Sequence, residues 1–505
     1  MIARHASGMN RLLFWMLPLV LAACTVGPDF VRPVTATGPR YGAGALPEPV
    51  LAGGVVQRLR DGGEVPANWW HLFRSAGLNA QVDAALVANP TLQAAEASLR
   101  QSQDRLRAGY GVFYPHVALA AGVTRERAAS AEQGTASSGT LFNLFTLTGS
   151  IGYALDVFGG AHRSVELLQA QTSGQSALVH AAYVTLTAAL VNTVIARGAY
   201  LDERDTVRTL IRLQQAQLAA TESAERSGFG SHAAVLTIRS LLDANQALLP
   251  ALALKITAAG DLLATLGGKL PAEQTAADIR LAELSLPLDV PLSLPSALVQ
   301  QRPDILVAQA DLHAASAAIG VATAALFPAI TLDASYGAAA NRFGALSSGA
   351  ARFWSIGPGV TAPVFQGGAL WYGREAARDA YQQSLAQYRQ TVLTAFAQVA
   401  DTLAALDSDG RVLQAQDAAV ADADAALGLL QVSVQAGTLS AGDALAGDVL
   451  RQQARVLRLQ TVALRFQDTV ALLVALGGGW WNPSPTPTLT PTPTPTPDPT
   501  EHPRP

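Results

Sequence analysis

Residues 381–406 read YQQSLAQYRQTVLTAFAQVADTLAAL, with larger side chains at Tyr381, Leu385, Tyr388, Val392, Ala395, Val399, Thr402 or Leu403, and Leu406. Spacings of four and three mark the apolar stripe of a helix packed in coiled-coil fashion. The stripe sits in a proline-free stretch, 368–440, that opens after Val364-Phe365-Gln366-Gly367-Gly368 and closes on Gly437-Thr438-Leu439-Ser440. The same plan occupies 160–231: it follows Val157-Phe158-Gly159-Gly160, carries Val184, Ala188, Val191 and Ile195, and ends at Gly228-Phe229-Gly230-Ser231. At 1.5 Å per residue each such helix is about 100 Å long. A conduit or a spacer uses that length; a compact enzyme domain does not.

The two stretches belong to an internal duplication. Pro90/Pro303 and Pro115/Pro328 are offset by 213 positions, Gly160/Gly368 by 208, Gly228/Gly437 by 209 and Gly267/Gly477 by 210. Each half reads helix, strand, strand, long helix, turn and returning helix, the last at about 232–266 and 441–476. Pro250 interrupts the first returning helix and is expected to kink it near Leu249.

The strands are segments of about ten residues, the span a tilted strand needs to cross a bilayer. Along 116–124, Val117, Leu119, Ala121 and Val123 alternate with His116, Ala118, Ala120, Gly122 and Thr124. Along 147–157, Leu147, Ile151, Tyr153, Leu155 and Val157 alternate with Thr148, Ser150, Gly152 and Asp156. In the second half Ile330, Leu332, Ala334 and Tyr336 alternate with Thr331, Asp333, Ser335 and Gly337; Trp354, Ile356, Val360, Ala362 and Val364 alternate with Ser355, Gly357 and Thr361. Tyr110, Phe113, Tyr114, Phe158, Phe327, Phe365, Trp371 and Tyr372 gather at the strand roots, where an interfacial girdle belongs. Four strands cannot close a barrel, and an open edge in lipid strands backbone groups. Two chains would supply eight strands around a filled lumen, three chains twelve around a passage. The Gly, Ala, Ser and Thr of the second face suit a passage.

Composition agrees with packed helices. Half of the 505 residues are apolar, yet aromatics are 6% and charged residues 14%, so small side chains dominate the contacts. The net charge of −4 carries no basic footprint for nucleic acid. No run of 18 apolar residues follows the N-terminus, so no transmembrane helix is expected in the mature chain. Residues 1–23 read as an export signal, with Arg4 and Arg11 ahead of an apolar core. Leu21-Ala22-Ala23-Cys24 matches a lipobox, and Cys24 is the chain's one cysteine, which excludes an internal disulfide framework. Covalent diacylglycerol and an N-acyl chain on Cys24 would anchor the protein; Thr25, not Asp, follows, which favours the outer membrane. Beyond about 478 the Thr/Pro-rich tail to 505 has no apolar pattern and is expected to be disordered.

Three stretches together resemble the outer-membrane efflux proteins: Arg302-Pro303-Asp304-Ile305 through Ala308-Gln309-Ala310-Asp311-Leu312 to Ile319-Gly320-Val321-Ala322 and Phe327-Pro328; Asn68-Trp69-Trp70; and Cys24-Thr25-Val26-Gly27-Pro28. The last two point to the NodT-like and OprM-like lipoprotein branch. The resemblance implies a mainly α chain with a membrane β-barrel, a TolC-like homotrimer whose four strands per chain complete a 12-stranded barrel over a long helical periplasmic tunnel. It implies an exit duct for small molecules, joined through a periplasmic adaptor to an inner-membrane transporter. The implied domains are signal 1–23, extended segment 24–77, first repeat 78–270, linker 271–294, second repeat 295–477 and tail 478–505. A structural coiled-coil envelope lipoprotein and a type I secretion duct are the alternatives.

In that family an Arg-x-Gly-x-x-Ser pattern at the hairpin tips touches the adaptor. Arg226, Gly228 and Ser231 match it; the second tip keeps Gly437 and Ser440 but has Gln435 for Arg. Tight-turn formation alone also accounts for the glycines. Asp443 matches the first of the family's gate aspartates, and Ala446 stands at the second, with Asp448 close by. No catalytic constellation, metal pair or nucleotide loop is expected: Gly267-Gly268-Lys269-Leu270 has the wrong spacing for a phosphate loop.

Overall fold

The computed structural model describes residues 25–34, 40–41, 51–52, 55–128, 140–273 and 277–482. The expected export signal, Cys24 and the Thr/Pro tail from 483 onward lie outside the described residues. From the N-terminus the elements are β1 (Leu51–Ala52), β2 (Val55–Val56), β3 (Arg58–Asp61), α1 (Ala76–Ala88), α2 (Pro90–Gly109), β4 (His116–Ala128), β5 (Thr140–Leu155) and α3 (Gly160–Arg226). Then follow α4 (His232–Gln246), α5 (Leu248–Leu266), β6 (Asp289–Leu292), α6 (Pro295–Gln301), α7 (Pro303–Ala324), β7 (Ala329–Ala340), β8 (Arg352–Thr361), α8 (Ala369–Gln435) and α9 (Ala441–Ala475). The duplication is exact in its longest element: α3 and α8 each hold 67 residues.

The chain divides into two compact units, each assembled from three separated segments. One comprises Met1–Thr37, Pro90–Ala182 and Pro303–Ala395, the other Gly38–Asn89, Tyr183–Arg302 and Phe396–Pro505. The boundaries therefore cut both long helices.

The first unit holds a four-stranded antiparallel sheet in the order β4-β5-β7-β8. Its register turns sequence alternation into two chemically distinct faces. Val117 lies opposite Ile151, Ile151 opposite Ala334 and Ala334 opposite Ile356. Leu119, Gly149, Tyr336 and Trp354 form another such row. This apolar face stays uncovered: Leu119 is 78% exposed and Trp354 73%. The opposite face carries Ala118, Ser150, Ser335 and Ser355 in one row, with the two inner hydroxyls of Ser335 and Ser355 2.8 Å apart. An apolar face left bare and a polar face turned away from it is the reverse of a soluble sheet.

Each strand extends past its alternating residues, β7 on to Ala340 and β8 back to Arg352. β4 runs on through Arg125-Glu126-Arg127, polar on both faces, and β5 starts at Thr140 with Leu141, Phe142, Leu144 and Phe145 on both faces. Val157, Ala362 and Val364, expected in strands, fall just beyond them. At the strand roots Phe158 stacks on Phe327 at 4.7 Å, while Tyr114, Phe365 and Tyr372 remain exposed.

In the second unit, the 3₁₀ turn Trp69–Phe73 buries its three large rings. Trp70 packs against Tyr183 and Phe73 against Phe466. The extended segment is not structureless: β1 pairs with β2, and β3 pairs in parallel with β6, in the linker between repeats. Trp480 donates its ring N–H to the Gln301 carbonyl at 2.8 Å, and Ala67 N–H bonds Asn482 at 3.0 Å, so the chain stays ordered past 477 to 482.

The periodic stripe is the buried side of the long helices. Tyr388, Val392, Ala395, Val399, Leu403 and Leu406 are buried; Tyr381 and Leu385 are half-buried. Val184, Val191 and Ile195 are likewise buried in α3, and Ala188 is half-buried. α3 and α4 are joined by Arg239–Glu222 at 2.9 Å and Asn245–Gln214 at 3.1 Å over an apolar cluster of Val207, Ile211, Leu242 and Leu252. α8 and α9 are joined by Arg458–Asp417 at 2.6 Å and Arg455–Asp424 at 3.4 Å.

Pro250 breaks the first returning helix earlier than expected, at Ala247. Pro250 is the third residue of α5; its ring would collide with the carbonyl of Gln246, four residues back, so the ladder parts there. Three helical runs, α3, His232–Leu266 and α7, are long and apolar enough by composition to cross a membrane. The expectation of none rested on unbroken apolar runs, and each of these helices is broken by polar side chains, such as His180, Thr187 and Asn192 in α3, while its mean hydropathy stays high. In α3 the apolar side chains are spent on the buried stripe.

Candidate functional site: hairpin tips and strand roots

Both tips are built by one device. At the end of α3, Gly228 adopts φ +79°, its N–H bonds the Glu225 carbonyl at 2.9 Å, and Phe229 N–H bonds Ala224 at 2.9 Å. At the end of α8, Gly437 adopts φ +74°, bonding Val434 at 3.0 Å, and Thr438 N–H bonds Ser433 at 3.0 Å. These are Schellman closures, which need a left-handed residue and hence glycine. The same closure at Gly268 and Gly477 identifies Gly268, not Gly267, as the partner of Gly477. The corrected offset equals that of the tips, 209 positions (477 − 268).

The tip serines start the returning helices. Ser231 Oγ accepts from Ala234 N–H at 3.2 Å, and Ser440 Oγ accepts from Asp443 N–H at 3.3 Å. Each therefore satisfies one of the orphan donors of a helix start. Between closure and cap the tips present exposed side chains: Arg226 as the last residue of α3, Phe229 at 92% exposure, and Leu439. Glu225 is tied to His232 at 2.8 Å across the first tip.

Asp443 is the third residue of α9, and its Oδ2 accepts from Ser440 Oγ at 2.7 Å and Ser440 N–H at 2.9 Å. The pair is a reciprocal capping box. The Ser440 hydroxyl first, then its N–H, hold the Asp443 carboxyl below the usual carboxylate range. Asp448 is bound to Arg451 at 2.7 Å.

At the strand roots the structure adds a site that sequence reading missed. Arg163, buried in the first turn of α3, reaches residues that directly follow position 24. Its guanidinium donates to the Val26 carbonyl at 3.2 Å and to Asp29 at 2.7 Å, and pairs with Glu166 at 2.7 Å. Burial pulls this pKa down, but the bonds to Asp29 and Glu166 outweigh it and raise it. Glu166 in turn bonds His313 at 2.9 Å, and Phe30 stacks on that imidazole at 4.3 Å. Val26 N–H bonds Phe158 at 3.1 Å, and a side chain at Gly159 would collide with Thr25. The N-terminal strap is thus pinned to the base of β5. The one available signal was an arginine in the first turn of α3, where the helix dipole favours acidic side chains.

Asp156, one residue past β5, caps α3 by accepting from Ala161 N–H and His162 N–H, both at 2.9 Å. Burial pushes its carboxyl up, and those bonds more than reverse the shift. Among the described residues no cluster of three or more potential metal ligands occurs.

The model of the outer membrane efflux protein family matches residues 81–269 and 294–478. Among curated relatives, the pyoverdine export outer membrane protein OpmQ of Pseudomonas putida is 30% identical over 83% of this chain and 89% of its own length. Nodulation protein T of Rhizobium leguminosarum bv. viciae is 28% identical over 94% of each chain. Among solved structures, the outer-membrane channel OprN superposes with a TM-score of 0.81 at 26% identity, covering 90% of this chain and all of that one. Duplicated 67-residue helices, matching tip closures, an inverted sheet and both halves of the family pattern have one common explanation: the chain belongs to the outer membrane efflux protein family.

Proposed function

We propose that this protein is the exit channel of a tripartite efflux system, passing small molecules from an inner-membrane transporter and a periplasmic adaptor to the exterior. One observation carries this reading. A sheet whose apolar face is bare and whose edge strands β4 and β8 have no outer neighbour among the described residues runs, through glycine turns, directly into 67-residue helices. In lipid the unpaired edges cost several kcal/mol per backbone group unless further copies pair with them. Three copies close twelve strands around a passage lined mainly by Ala, Gly, Ser and Thr. OpmQ is named as a pyoverdine export protein, which accords with an export duct.

The tips, with Arg226, Gly228, Ser231, Gly437 and Ser440, dock the adaptor. Their glycines and serines already form turn and cap, so Arg226 and Phe229 supply the recognition. Asp443 forms the periplasmic gate: three copies converge, and their mutual repulsion is relieved by cations. Acylation of Cys24 anchors the chain in the outer membrane. The clamp on Thr25 to Asp29 supports this, since it holds the residue after the cysteine against the root of β5, where an acyl chain meets the leaflet.

The test is complementation of a strain lacking its own outer-membrane exit channel, supplied with the cognate adaptor and pump. Wild type should restore resistance to exported compounds. Arg226→Glu should abolish it at unchanged abundance in the outer membrane. Normal resistance from Arg226→Glu removes that residue from docking, and no rescue by wild type overturns the efflux reading.

A further inference from the structure

The polar face of the sheet is almost uncharged. Its described residues include three ionisable groups: Glu126 at the far end of β4, and His116 and Asp333 near the strand roots. Register puts the latter two on one row: His116 opposite Gly152, Gly152 opposite Asp333, and Asp333 opposite Gly357. The glycines decide what this row presents. A Cβ at Gly152 would overlap the His116 imidazole, so the ring lies flat over that glycine instead of projecting from the wall. At Gly357 a Cβ would meet nothing within 4 Å, so the other side of Asp333 is open. Asp333 is exposed, and Thr331 Oγ1 donates to its Oδ2 at 2.8 Å, which steadies the carboxylate.

We propose that Asp333 sets the charge preference of the barrel's inner mouth, favouring cations over anions. This rests on the three-copy duct above. Symmetry then places three Asp333 carboxylates at one height, flanked by glycine, between rows of small neutral side chains: Ala118, Ser150, Ser335 and Ser355 on one side, Ala154, Thr331 and Gly359 on the other. At physiological salt a fixed charge acts over about 8 Å, so three of them command a passage closed by twelve strands. The selector is separate from the Asp443 gate, being carried by the sheet and not by a hairpin tip.

The experiment is single-channel recording of the purified full-length protein under a KCl gradient, reading the K⁺/Cl⁻ permeability ratio from the reversal potential. It is run in wild type and in an Asp443→Ala background, so that the tip aspartate does not mask the barrel. Asp333→Asn should lower the ratio at least threefold, Asp333→Lys should lower it further, and Asp333→Glu should retain it. A ratio unchanged in both Asn and Lys variants, with channels still opening, overturns the proposal and leaves the duct intact. Failure of wild type to form any channel overturns the duct and this selector with it.

Discussion

Arg163 shows why some of this molecule was hidden from one-dimensional reading. Its partner Asp29 lies 134 positions away, and neither residue sits in a motif. The stripe in α8 and the tip glycines were legible because their physics is local: helical spacing and left-handed backbone. Asp443 was legible only as a matched position; its part in the cap of its own helix shows in the structure. Replacing Arg163 with Ala leaves Glu166 with His313 but releases Val26 and Asp29. Backbone amides of residues 25–34 should then exchange at least tenfold faster, a loss of about 1.4 kcal/mol locally, measured by hydrogen–deuterium exchange. Unchanged exchange there would show the strap is held by its backbone contacts alone. A second residue-scale prediction concerns Asp409, buried on α8. Burial first, then the hydrogen bond and charge of Asp468, raise its pKa to about 7, against the opposing Arg465 guanidinium. Among the described residues one Asp409 oxygen and Arg465 Nε make no hydrogen bond, so this guanidinium does not offset the burial of the carboxyl. A carboxyl raised in the folded state takes up protons on folding, so its stabilising effect is greatest at low pH and fades as pH rises toward 7. Asp409→Asn should therefore melt several degrees above wild type at pH 8 and flatten the fall in melting temperature between pH 5 and 7.

At the scale of elements, the halves agree where backbone geometry rules and diverge where one residue intervenes. Both tips close on glycine and restart on serine, and the returning helices cover 35 residues each. Pro250 alone divides the first of them. The strands were legible only where one face is apolar and the other small and polar. Arg125 to Arg127 and Leu141 to Phe145 do not alternate, and pairing with each other extends both strands beyond the readable core. For the tips the prediction is energetic. Gly228→Ala or Gly437→Ala forces a Cβ into left-handed backbone at a cost of about 1 kcal/mol. Each should raise exchange in its own hairpin end about fivefold and leave the other tip unaltered. Equal loosening of both tips would show that the hairpins open as one unit.

At the scale of the whole molecule, what the chain needs is neighbours. Its sheet ends in β4 on one side and β8 on the other, and both carry exposed apolar side chains on the same face. Closure by identical copies must bring β4 of one against β8 of the next, a heterologous contact that forms a ring only when the turn angle returns to its start. Cysteine pairs across this seam count the copies. Leu119→Cys on β4, combined in turn with Trp354→Cys, Ile356→Cys or Val360→Cys on β8, samples the possible registers, since all four side chains lie on the exposed apolar face. Disulfides form only where Cβ atoms approach within about 4.5 Å, so one β8 position should cross-link and its neighbours should not. Oxidation in membranes should give a ladder that stops at three chains, with single-cysteine variants giving none. A ladder stopping at two would mean eight strands with a lumen filled by side chains, and no small-molecule passage. A ladder continuing past three would mean an open array. The count therefore decides between duct and spacer without any knowledge of cargo, because it measures the one property that strand geometry turns directly into pore width.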